Sequence, residues 1–423
     1  MPRDSYDVVI VGSGIVGLSS AYHIKKENPD MNVLVIDRAP TYAQGNTAKS
    51  AASFRDLFSE DINFWLSHST IEFYKHIQKA GYNIGLNMVG YLFLFRRNDP
   101  RKEILLNLQK KTDVRFFEND EVKSFPGLKT DPDPASSQLM GLFDIEDGAV
   151  GENCGTVEAE LVSKYYYDQC VSLGVEFRFN TELKEFSLEP VNRLDFPGEP
   201  FLWQEKKIAD LDTTSGMIHG ETYVCATDIW ATRLLEGTGI DSHIRPKKRQ
   251  LFQLSGPAVD TILYGWKYND AGIQPFTILP YKAVYFRPAP KFKSVWAGVA
   301  DDYNRDFTMS EDPQPEKDFF ERSLMPVLTA YYPGLSEAKL TGSWAGYYSY
   351  NTIDKSPYIF KDLNLVVATG TSGSGILKGD GIGRNVSSLV SGKQMVKLFD
   401  GHSYNVEETG LYKRRTMNEQ MIL

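Results

Sequence analysis

The sequence predicts an α/β fold, α+β overall, in which a parallel sheet is joined to a second, mostly antiparallel sheet. Near the N-terminus, the apolar run 7–11 precedes a G-x-G-x-x-G motif and a helical pattern, and a second apolar run follows at 33–36. Two buried strands around a helix are typical of a Rossmann-type β-α-β unit. Residues 250–300 alternate short apolar runs with turns, which indicates antiparallel strands. Because 423 residues exceed the usual size of one hydrophobic core, we expect two closely joined domains.

Each glycine of the motif has its own role. Gly12 allows the tight turn, Gly14 lets a pyrophosphate approach the backbone, and Gly17 lets helix and strand pack closely. The helix N-terminus offers free N–H groups and a partial positive charge to the phosphates. Asp37 ends the second strand, where an acid accepts hydrogen bonds from ribose hydroxyls. An acid rather than a basic cluster argues against a 2′-phosphate, so the dinucleotide is FAD or NAD.

A second glycine-rich turn, at 370–375, favours FAD. It follows the apolar run 363–368 and precedes a helix predicted from about 379 to 398. A nicotinamide dehydrogenase needs one such turn, whereas a flavoprotein can present a second helix N-terminus to the isoalloxazine ring and stabilise the negative charge of the reduced flavin. Residues 44–55 are small and polar, which lets backbone lie against a flat ligand.

Composition excludes several classes of function. The chain is 42% hydrophobic and 24% charged, as in soluble globular proteins, and its net charge of −9 argues against a nucleic-acid partner. We expect no signal peptide, no transmembrane segment and a cytoplasmic location, with peripheral membrane contact through a small patch left open. Cys154, Cys170 and Cys225 have no CxxC spacing, and we expect buried thiols in a reducing compartment. The six histidines show no ligand spacing, so no metal site is expected, and His23 is interpreted as structural.

Taken together, these segments resemble the D-amino-acid-oxidase (DAO)-type FAD-dependent oxidoreductases, the family of sarcosine oxidase, glycine oxidase and dimethylglycine dehydrogenase. The resemblance covers nearly the whole chain, and its markers are 9–17, Asp37, 226–230, 344–354 and 370–383. Within the family, WAGYYSYNTID at 344–354 and the terminal MNEQMIL look closest to archaeal dye-linked L-proline dehydrogenases. They are also similar to a mitochondrial assembly factor for respiratory complex I.

The resemblance implies a Rossmann-type FAD-binding domain at 1–60, 145–240 and 340–423. It implies a discontinuous substrate-binding domain at 61–144 and 241–339. The residues that it places around FAD are Gly12, Ser13, Gly14, Ile15, Val16, Gly17, Asp37, Arg38, Thr47, Ser50, Ala51, Ala52, Leu183, Ala226, Thr227, Trp230, Gly346, Gly370, Gly373, Ser374, Gly375, Ile376 and Lys378.

Two departures from the family pattern stand near the expected cofactor. Asp228 occupies the glycine position of the family's Ala-x-Gly-x-Trp, so we expect a different backbone there. Ser374 stands where the family often has histidine in Ser-Gly-His-Gly, which removes a polar contact.

The resemblance also predicts how FAD is held and reoxidised. The cysteine that attaches flavin in sarcosine oxidase lies in the segment matching Tyr347, and no cysteine lies near it here, so we predict non-covalent FAD. Alignment places Trp296 where oxidases carry an oxygen-activating lysine, although Lys291 and Lys293 are close in sequence. We therefore predict a dehydrogenase that passes electrons to a quinone, a dye or a partner protein rather than to oxygen.

A substrate carboxylate needs a cation. Arg55 is the first candidate because its planar fork suits bidentate binding, although an ordinary surface cation is the alternative. Lys378, one residue beyond a family lysine with this role, is second, and Arg287 is third. Tyr285, Tyr347 and Tyr348 are candidate pocket walls or hydroxyl donors.

The leading functional prediction is an FAD-dependent dehydrogenase that oxidises the C–N bond of a small secondary amino acid. L-Proline comes first and sarcosine-like N-methyl amino acids next. The enzymatic alternative is a 2-hydroxy acid or glycerol-3-phosphate dehydrogenase, and the alternative of another class is an FAD-containing assembly factor. From the resemblance alone, residues 417–423 are expected to cover the active-site entrance.

Overall fold

The computed structural model describes residues 5–281, 283–300, 306–411, 414 and 418–422. In these residues most strands belong to two eight-stranded sheets. The strands are β1 (Ser5–Val11), β2 (Val33–Ile36), β3 (Ser53–Phe54), β4 (Tyr91–Phe95), β5 (Val114–Phe117), β6 (Asp147–Gly151), β7 (Gly155–Thr156), β8 (Glu176–Arg178), β9 (Leu183–Pro190), β10 (Lys206–Thr213), β11 (Gly216–Cys225), β12 (Ile244–Ser255), β13 (Phe276–Ile278), β14 (Val284–Ala289), β15 (Ser294–Val299), β16 (Lys339–Asn351), β17 (Tyr358–Asp362), β18 (Leu365–Thr369), β19 (Met395–Lys397) and β20 (Ser403–Asn405).

Helices cover the sheets, and in the described part of the chain none is long and apolar enough to cross a membrane. The α-helices are α1 (Ile15–Glu27), α2 (Asp61–Lys79), α3 (Pro100–Leu108), α4 (Asn119–Val122), α5 (Pro134–Met140), α6 (Ala159–Ser172), α7 (Ala231–Leu235), α8 (Pro257–Leu263), α9 (Lys317–Phe319), α10 (Met325–Tyr331) and α11 (Gly375–Val390).

The first sheet has the predicted Rossmann-type centre. Six of its strands have the order β17-β18-β11-β1-β2-β8, and the other two extend from β11, with β10 antiparallel to β11 and β9 antiparallel to β10. Strand β1 pairs in parallel with both β2 and β11. Alternate residues of β1 enter different cores: Val8 and Ile10 pack with α1 and α11, whereas Val9 and Val11 pack on the other face. Burial on both faces explains the continuous apolar run that predicted this strand.

The second sheet has the order β16-β12-β15-β14-β13-β4-β6-β5 and is antiparallel except for the β4–β13 pair. This confirms the predicted mostly antiparallel sheet. One face packs on α8 and α10 through residues such as Phe252, Phe286 and Val295. The alternate residues of the same strands, such as Leu251 and Tyr285, face the first sheet and its helices.

The predicted domain boundaries remain a prediction, but strand pairing divides the chain somewhat differently. Strands β6 and β16 both belong to the second sheet, where β6 pairs with β4 and β5, and β16 pairs with β12. The prediction gave 145–151 and most of β16 to the FAD-binding domain. The prediction placed α2 in the substrate-binding domain, but Leu66 and Ile71 of this helix pack in the same hydrophobic core as α1 and α11 of the first sheet.

The last helix differs from the prediction of 379–398. Helix α11 begins at Gly375, directly after the glycine turn, and ends at Val390, while 395–397 is a short strand. Gly379 and Gly381 lie inside this helix. A Cβ at Gly379 would lie 2.9 Å from Ile15, and a Cβ at Gly381 would lie 2.9 Å from Leu66, so larger residues would push the neighbouring helices apart. These glycines allow close helix packing, which a sequence pattern does not distinguish from a loop.

Candidate active site

A cavity of about 1030 Å³ lies between the helix N-termini of the first sheet and the inner face of the second sheet. One end is lined by Gly12, Gly14 and Asp37, and the other end by Arg55 and aromatic side chains. The cavity is therefore long enough to join the two predicted halves of the site.

The glycine motif forms the floor of the first end. Gly12 has φ +102°, and a Cβ on it would lie 2.5 Å from the carbonyl oxygen of Ala226. A Cβ on Gly17 would overlap the carbonyl of Gly12, so neither position accepts a side chain. Gly14 is the N-cap residue of α1. A Cβ on Gly14 would lie 3.2 Å from the Thr47 hydroxyl oxygen. That oxygen accepts a hydrogen bond from the Ile15 N–H at 3.1 Å. This arrangement fits a pyrophosphate at the helix N-terminus.

Asp37 is held in one orientation at the wall of this end. Its Oδ2 accepts hydrogen bonds from the Ser13 N–H and hydroxyl, both at 2.7 Å, and its Oδ1 accepts one from the Ala39 N–H at 2.9 Å. Ser13 is fully buried and does not face the cavity, so its role in the site is to orient the Asp37 carboxylate.

The N-terminus of α11 opens on the same cavity. Ser374 is its N-cap residue, but the Ser374 hydroxyl donates to the carbonyl of Thr371 and leaves the helix N–H groups uncapped by that side chain. Neither α1 nor α11 carries an acidic residue in its first turn. The partial positive charge at these two helix N-termini is therefore not balanced by an acidic side chain in the first turn. Such a pair fits a ligand like FAD, which has a pyrophosphate for the N-terminus of α1 and an electron-rich ring for that of α11.

Arg55 lies at the other end, and it is only 5% exposed. Its guanidinium lies 4.2 Å from the centre of the Phe58 ring and 5.6 Å from that of Tyr91. The two Nη atoms donate to the carbonyl oxygens of Leu57 and Met421. The residues that surround it at the cavity wall are mostly aromatic: Phe58, Tyr91, Leu251, Phe276, Tyr285, Trp344 and Tyr348.

A buried acid anchors the chain next to Arg55. Asp56 is fully buried, and its Oδ2 accepts hydrogen bonds from Asn153 at 2.7 Å and Thr112 at 3.0 Å, and pairs with Nδ1 of His68 at 2.9 Å. The hydrogen bond to Asp56 raises the pKa of His68. This network fixes the backbone from which Arg55 projects.

Comparison with known proteins agrees with this geometry. Residues 7–389 match the family described as DAO, FAD dependent oxidoreductase. The chain belongs to the DAO family. FAD-dependent oxidoreductase domain-containing protein 1 of Xenopus laevis is 26% identical over 92% of this chain and 80% of its own length. Glycine oxidase of Bacillus licheniformis is 23% identical over 92% of this chain and 94% of its own length.

Solved structures share the fold of this DAO protein. The crystal structure of L-proline dehydrogenase from P. horikoshii has a TM-score of 0.75 at 21% identity and covers 97% of both chains. Glycine oxidase from Geobacillus kaustophilus has a TM-score of 0.74 at 18% identity, covering 98% of this chain and all of that one. The protein is therefore an FAD-dependent oxidoreductase with the fold of these flavoproteins.

Most residues predicted around FAD line the cavity, although their contacts with FAD stay predictions. Ser13, Gly17, Gly370 and Lys378 do not line it. Gly370 has φ +71° and forms the turn after β18. Those that do line it are Gly12, Gly14, Ile15, Val16, Asp37, Arg38, Thr47, Ser50, Ala51, Ala52, Leu183, Ala226, Thr227, Trp230, Gly346, Gly373, Ser374, Gly375 and Ile376.

The six predicted catalytic residues divide in the same way. Arg55, Tyr285, Tyr347 and Tyr348 line the cavity, and the Tyr347 hydroxyl accepts a hydrogen bond from the Ser310 N–H at 2.8 Å. Burial raises the pKa values of Tyr285 and Tyr348, so both hydroxyls stay protonated.

Arg287 and Lys378 lie behind the cavity wall. Arg287 donates to the carbonyl of Val157 at 3.0 Å and lies 3.6 Å from a carboxylate oxygen of Glu158. Nζ of Lys378 donates to Oδ1 of Asn63 at 2.7 Å and lies 4.3 Å from the centre of the Phe58 ring. Arg55 lines the cavity and these two cations do not, so direct carboxylate binding by either of them would need its side chain to move through the cavity wall.

Lys378 is expected to make the stability of the fold depend on pH. Complete burial lowers the pKa of Lys378 to about 7 from an ordinary 10.5. Because the unfolded chain holds the proton up to about 10.5, stability is expected to rise with pH between these values, by about 1.4 kcal/mol per unit. Thermal unfolding of the natural protein and of Lys378→Met at pH 7.5 and 9.5, with the same FAD concentration throughout, checks this. The difference in stability between the two proteins is expected to grow with pH in favour of the natural protein, because any pH dependence of FAD binding is common to both. Equal pH dependence in both proteins would show that Lys378 is protonated in the fold.

The described C-terminal residues 418–422 contact the site. Glu419 is fully buried and accepts hydrogen bonds from the N–H groups of Ser59 and Glu60, each at 3.0 Å, at the start of α2. Burial opposes ionisation of Glu419, but these N–H donors and that of Met421 keep its pKa below the ordinary value. Met421 supplies one acceptor of Arg55, and Ile422 lines the cavity.

Loss of this segment is expected to weaken substrate binding. A chain ending at residue 417 loses Ile422 from the cavity wall and the contacts of Glu419 that hold the start of α2, and we expect KM to rise about tenfold. Glu419→Gln is expected to give a smaller rise in the same direction. Steady-state kinetics check both, with Glu408→Gln as the control, because Glu408 caps the turn at Val406–Thr409 instead. An unchanged KM after truncation would remove the segment from the active site.

Sequence reasoning missed several lining residues. Arg249 is 7% exposed, with its guanidinium 5.0 Å from the centre of the Tyr348 ring. Trp344 lies on the neighbouring strand β16, and its Nε1 donates to the carbonyl of Lys49 at 2.9 Å. Asn46 and Lys49, within the predicted stretch 44–55, line the cavity next to β16. The period-two spacing Trp344, Gly346, Tyr348 was the available signal, because alternate residues of a strand share one face.

Proposed function

We propose that the protein is an FAD-dependent dehydrogenase that oxidises the C–N bond of a small secondary amino acid, with L-proline first and sarcosine-like N-methyl amino acids next. The observation that carries the proposal is a buried arginine, Arg55, in an aromatic-walled end of the FAD cavity. A cation in apolar surroundings fits a ligand with one carboxylate and a small apolar body.

The residues of this end have separate tasks. Arg55 binds the carboxylate through its two Nη atoms, in exchange for the carbonyl groups that they now contact. The aromatic walls of Phe276 and Tyr285 exclude water and orient the ring or methyl group. Burial of the substrate amine among these side chains favours its neutral form, the form that can be oxidised. The chemistry that bound FAD would supply here is that of a hydride acceptor, and these side chains would hold the substrate carbon toward it.

The comparisons support an amino-acid substrate. Two relatives of the chain are named glycine oxidase and sarcosine oxidase subunit beta, and a protein of the same fold is named L-proline dehydrogenase. All three names refer to small amino acids, and two of those substrates are secondary amines.

We propose that electrons pass to a quinone, a dye or a redox protein. Trp296 lies against Arg287, 4.3 Å from its guanidinium, and contacts Trp344 edge to face. The lysines among the described lining residues, Lys49 and Lys184, lie 3.8 and 3.3 Å from carboxylates of Asp312 and Asp212. Neither lysine belongs to the second sheet, which carries Trp296 on β15 at the position that the alignment gives to the oxygen-activating lysine of the oxidases.

We propose that FAD is bound without a covalent link. Cys154, Cys170 and Cys225 are fully buried, and no cysteine or histidine is found among the lining residues that the structure describes. Denaturing the protein with acid should release all of the flavin into the supernatant. Flavin that stays in the protein pellet would disprove the proposal.

Anaerobic reduction tests the function. L-Proline, then sarcosine, then L-2-hydroxyglutarate is added to the purified yellow protein, and the visible flavin band is recorded. Bleaching by proline or sarcosine supports amine oxidation, and slow return of the band in air supports a dehydrogenase. Bleaching by the hydroxy acid alone favours the 2-hydroxy acid alternative. No bleaching by any of them favours an untested substrate or the assembly factor.

A further inference from the structure

Asp228 is a carboxyl group on the wall of the FAD cavity at a position where the family motif has glycine. It opens the short 3₁₀ turn Asp228–Trp230 after β11 and lines the cavity. Its φ is +55°, in the left-handed region that favours glycine and that aspartate and asparagine tolerate. The chain therefore bears a local backbone cost to place this side chain at the cofactor site.

The contacts of Asp228 fix its orientation. Oδ1 of Asn46 accepts a hydrogen bond from the Tyr347 N–H at 2.9 Å, so Nδ2 of Asn46 is the atom that faces Asp228. It donates to Oδ2 of Asp228 at 2.6 Å. The backbone oxygen of Asp228 accepts a hydrogen bond from Thr369 at 2.8 Å. Burial raises the pKa of the Asp228 carboxyl, against hydrogen bonds from Ser349 and Asn46 that lower it.

The charges around this wall disfavour a carboxylate when FAD is bound. Asp228 lies two residues from Ala226, whose carbonyl contacts Gly12 at the pyrophosphate site. A dianionic pyrophosphate there would repel an ionised Asp228. The neighbouring cations are engaged, since Arg38 pairs with Glu311 at 2.6 Å and Lys49 lies 3.8 Å from Asp312. The other titratable groups that line the cavity are Asp37, Arg55, Tyr91, Glu182, Lys184, Arg233, Glu236, Arg249, Tyr285, Tyr347 and Tyr348.

We propose that Asp228 is an FAD-binding residue that acts in its protonated form, donating a hydrogen bond to the cofactor, so that FAD binding takes up one proton from solvent. The inference rests on FAD binding alone and does not depend on which substrate is oxidised. It predicts that FAD affinity falls as pH rises, because the FAD-free protein must then be protonated at Asp228 before the contact forms.

The test is the dissociation constant of FAD from pH 6 to 9, measured by the fluorescence of flavin released on dilution of the holoprotein. For the natural protein we expect the constant to rise with pH, approaching tenfold per unit at the upper end of the range. Asp228→Asn keeps a donor at every pH and suits the backbone, so we expect a smaller pH dependence and tighter binding than the natural protein at pH 9. Asp228→Gly should show equally little pH dependence, with weaker binding at pH 6.

Asp195→Asn is the matched control. Asp195 also has a positive φ, +62°, but it is exposed and does not line the cavity, so the natural pH profile is expected. Parallel pH profiles for the natural protein and Asp228→Asn would overturn the proposal. If Asp228→Asn does not retain flavin, the Asp228→Gly profile decides: a flat profile supports the proposal and a natural one overturns it.

Discussion

Replacing Arg55 by lysine is expected to lower kcat/KM for the amino acid that reduces the flavin by about 100-fold, with most of the loss in KM. Lysine keeps the charge but lacks the planar fork, and loss of one charge-assisted hydrogen bond in a buried site costs about 1.5–3 kcal/mol. Arg55 is also buried against Phe58, so a shorter cation would leave part of this contact unfilled.

Two comparisons separate carboxylate binding from a structural role of Arg55. Affinities of a carboxylate ligand, pyrrole-2-carboxylate, and of pyrrolidine, which lacks the carboxylate, are measured from changes in the flavin spectrum. Arg55→Lys should weaken the first and leave the second unchanged, and equal weakening of both would mean that Arg55 only supports the fold. Arg287→Lys is the control, because Arg287 is also a buried arginine but does not line the cavity. It is expected to lower the thermal midpoint and leave both affinities unchanged.

The cofactor half of the site could be predicted because its signals are local in sequence. The glycine spacing, the apolar strands and Asp37 fall within 31 residues, and each has a direct backbone reason. Asp228 was visible as a departure from the family motif, but its positive φ and its contact with Asn46 depend on a loop some 180 residues earlier in the chain. The departure from the motif therefore pointed to Asp228, but only the folded chain shows which groups surround its carboxyl group.

The substrate half could not be predicted in the same way, because side-chain direction there depends on packing between distant elements. Leu377 lines the cavity, whereas Lys378, about 100° further round α11, points to Asn63 on α2. Tyr285 and Arg287 share one face of β14, but Val157 and Glu158 cover only the arginine. Sequence spacing cannot show which residues along one face of a strand are covered by other elements.

Gly12→Ala is expected to weaken FAD binding by about 100-fold and to lower thermal stability. The left-handed backbone, φ +102°, costs a residue with a Cβ about 1–2 kcal/mol, and the new Cβ would lie 2.5 Å from the carbonyl oxygen of Ala226. Relief of this overlap must separate β1 from the end of β11, where the Ala226 N–H donates to the Val11 carbonyl at 2.9 Å. Both the pyrophosphate floor and the turn that carries Asp228 would shift.

Fluorescence titration with FAD and thermal unfolding with and without added FAD measure the two effects. Gly45→Ala is the matched control, because Gly45 lines the same cavity, has no positive φ, and has no atom within 4 Å of a Cβ built on it. It is expected to bind FAD as the natural protein does. Weak binding by both variants would show that any added methyl group in this wall disturbs the cofactor. Natural affinity in Gly12→Ala would show that the pyrophosphate does not lie against this turn, so the comparison tests the placement of FAD itself.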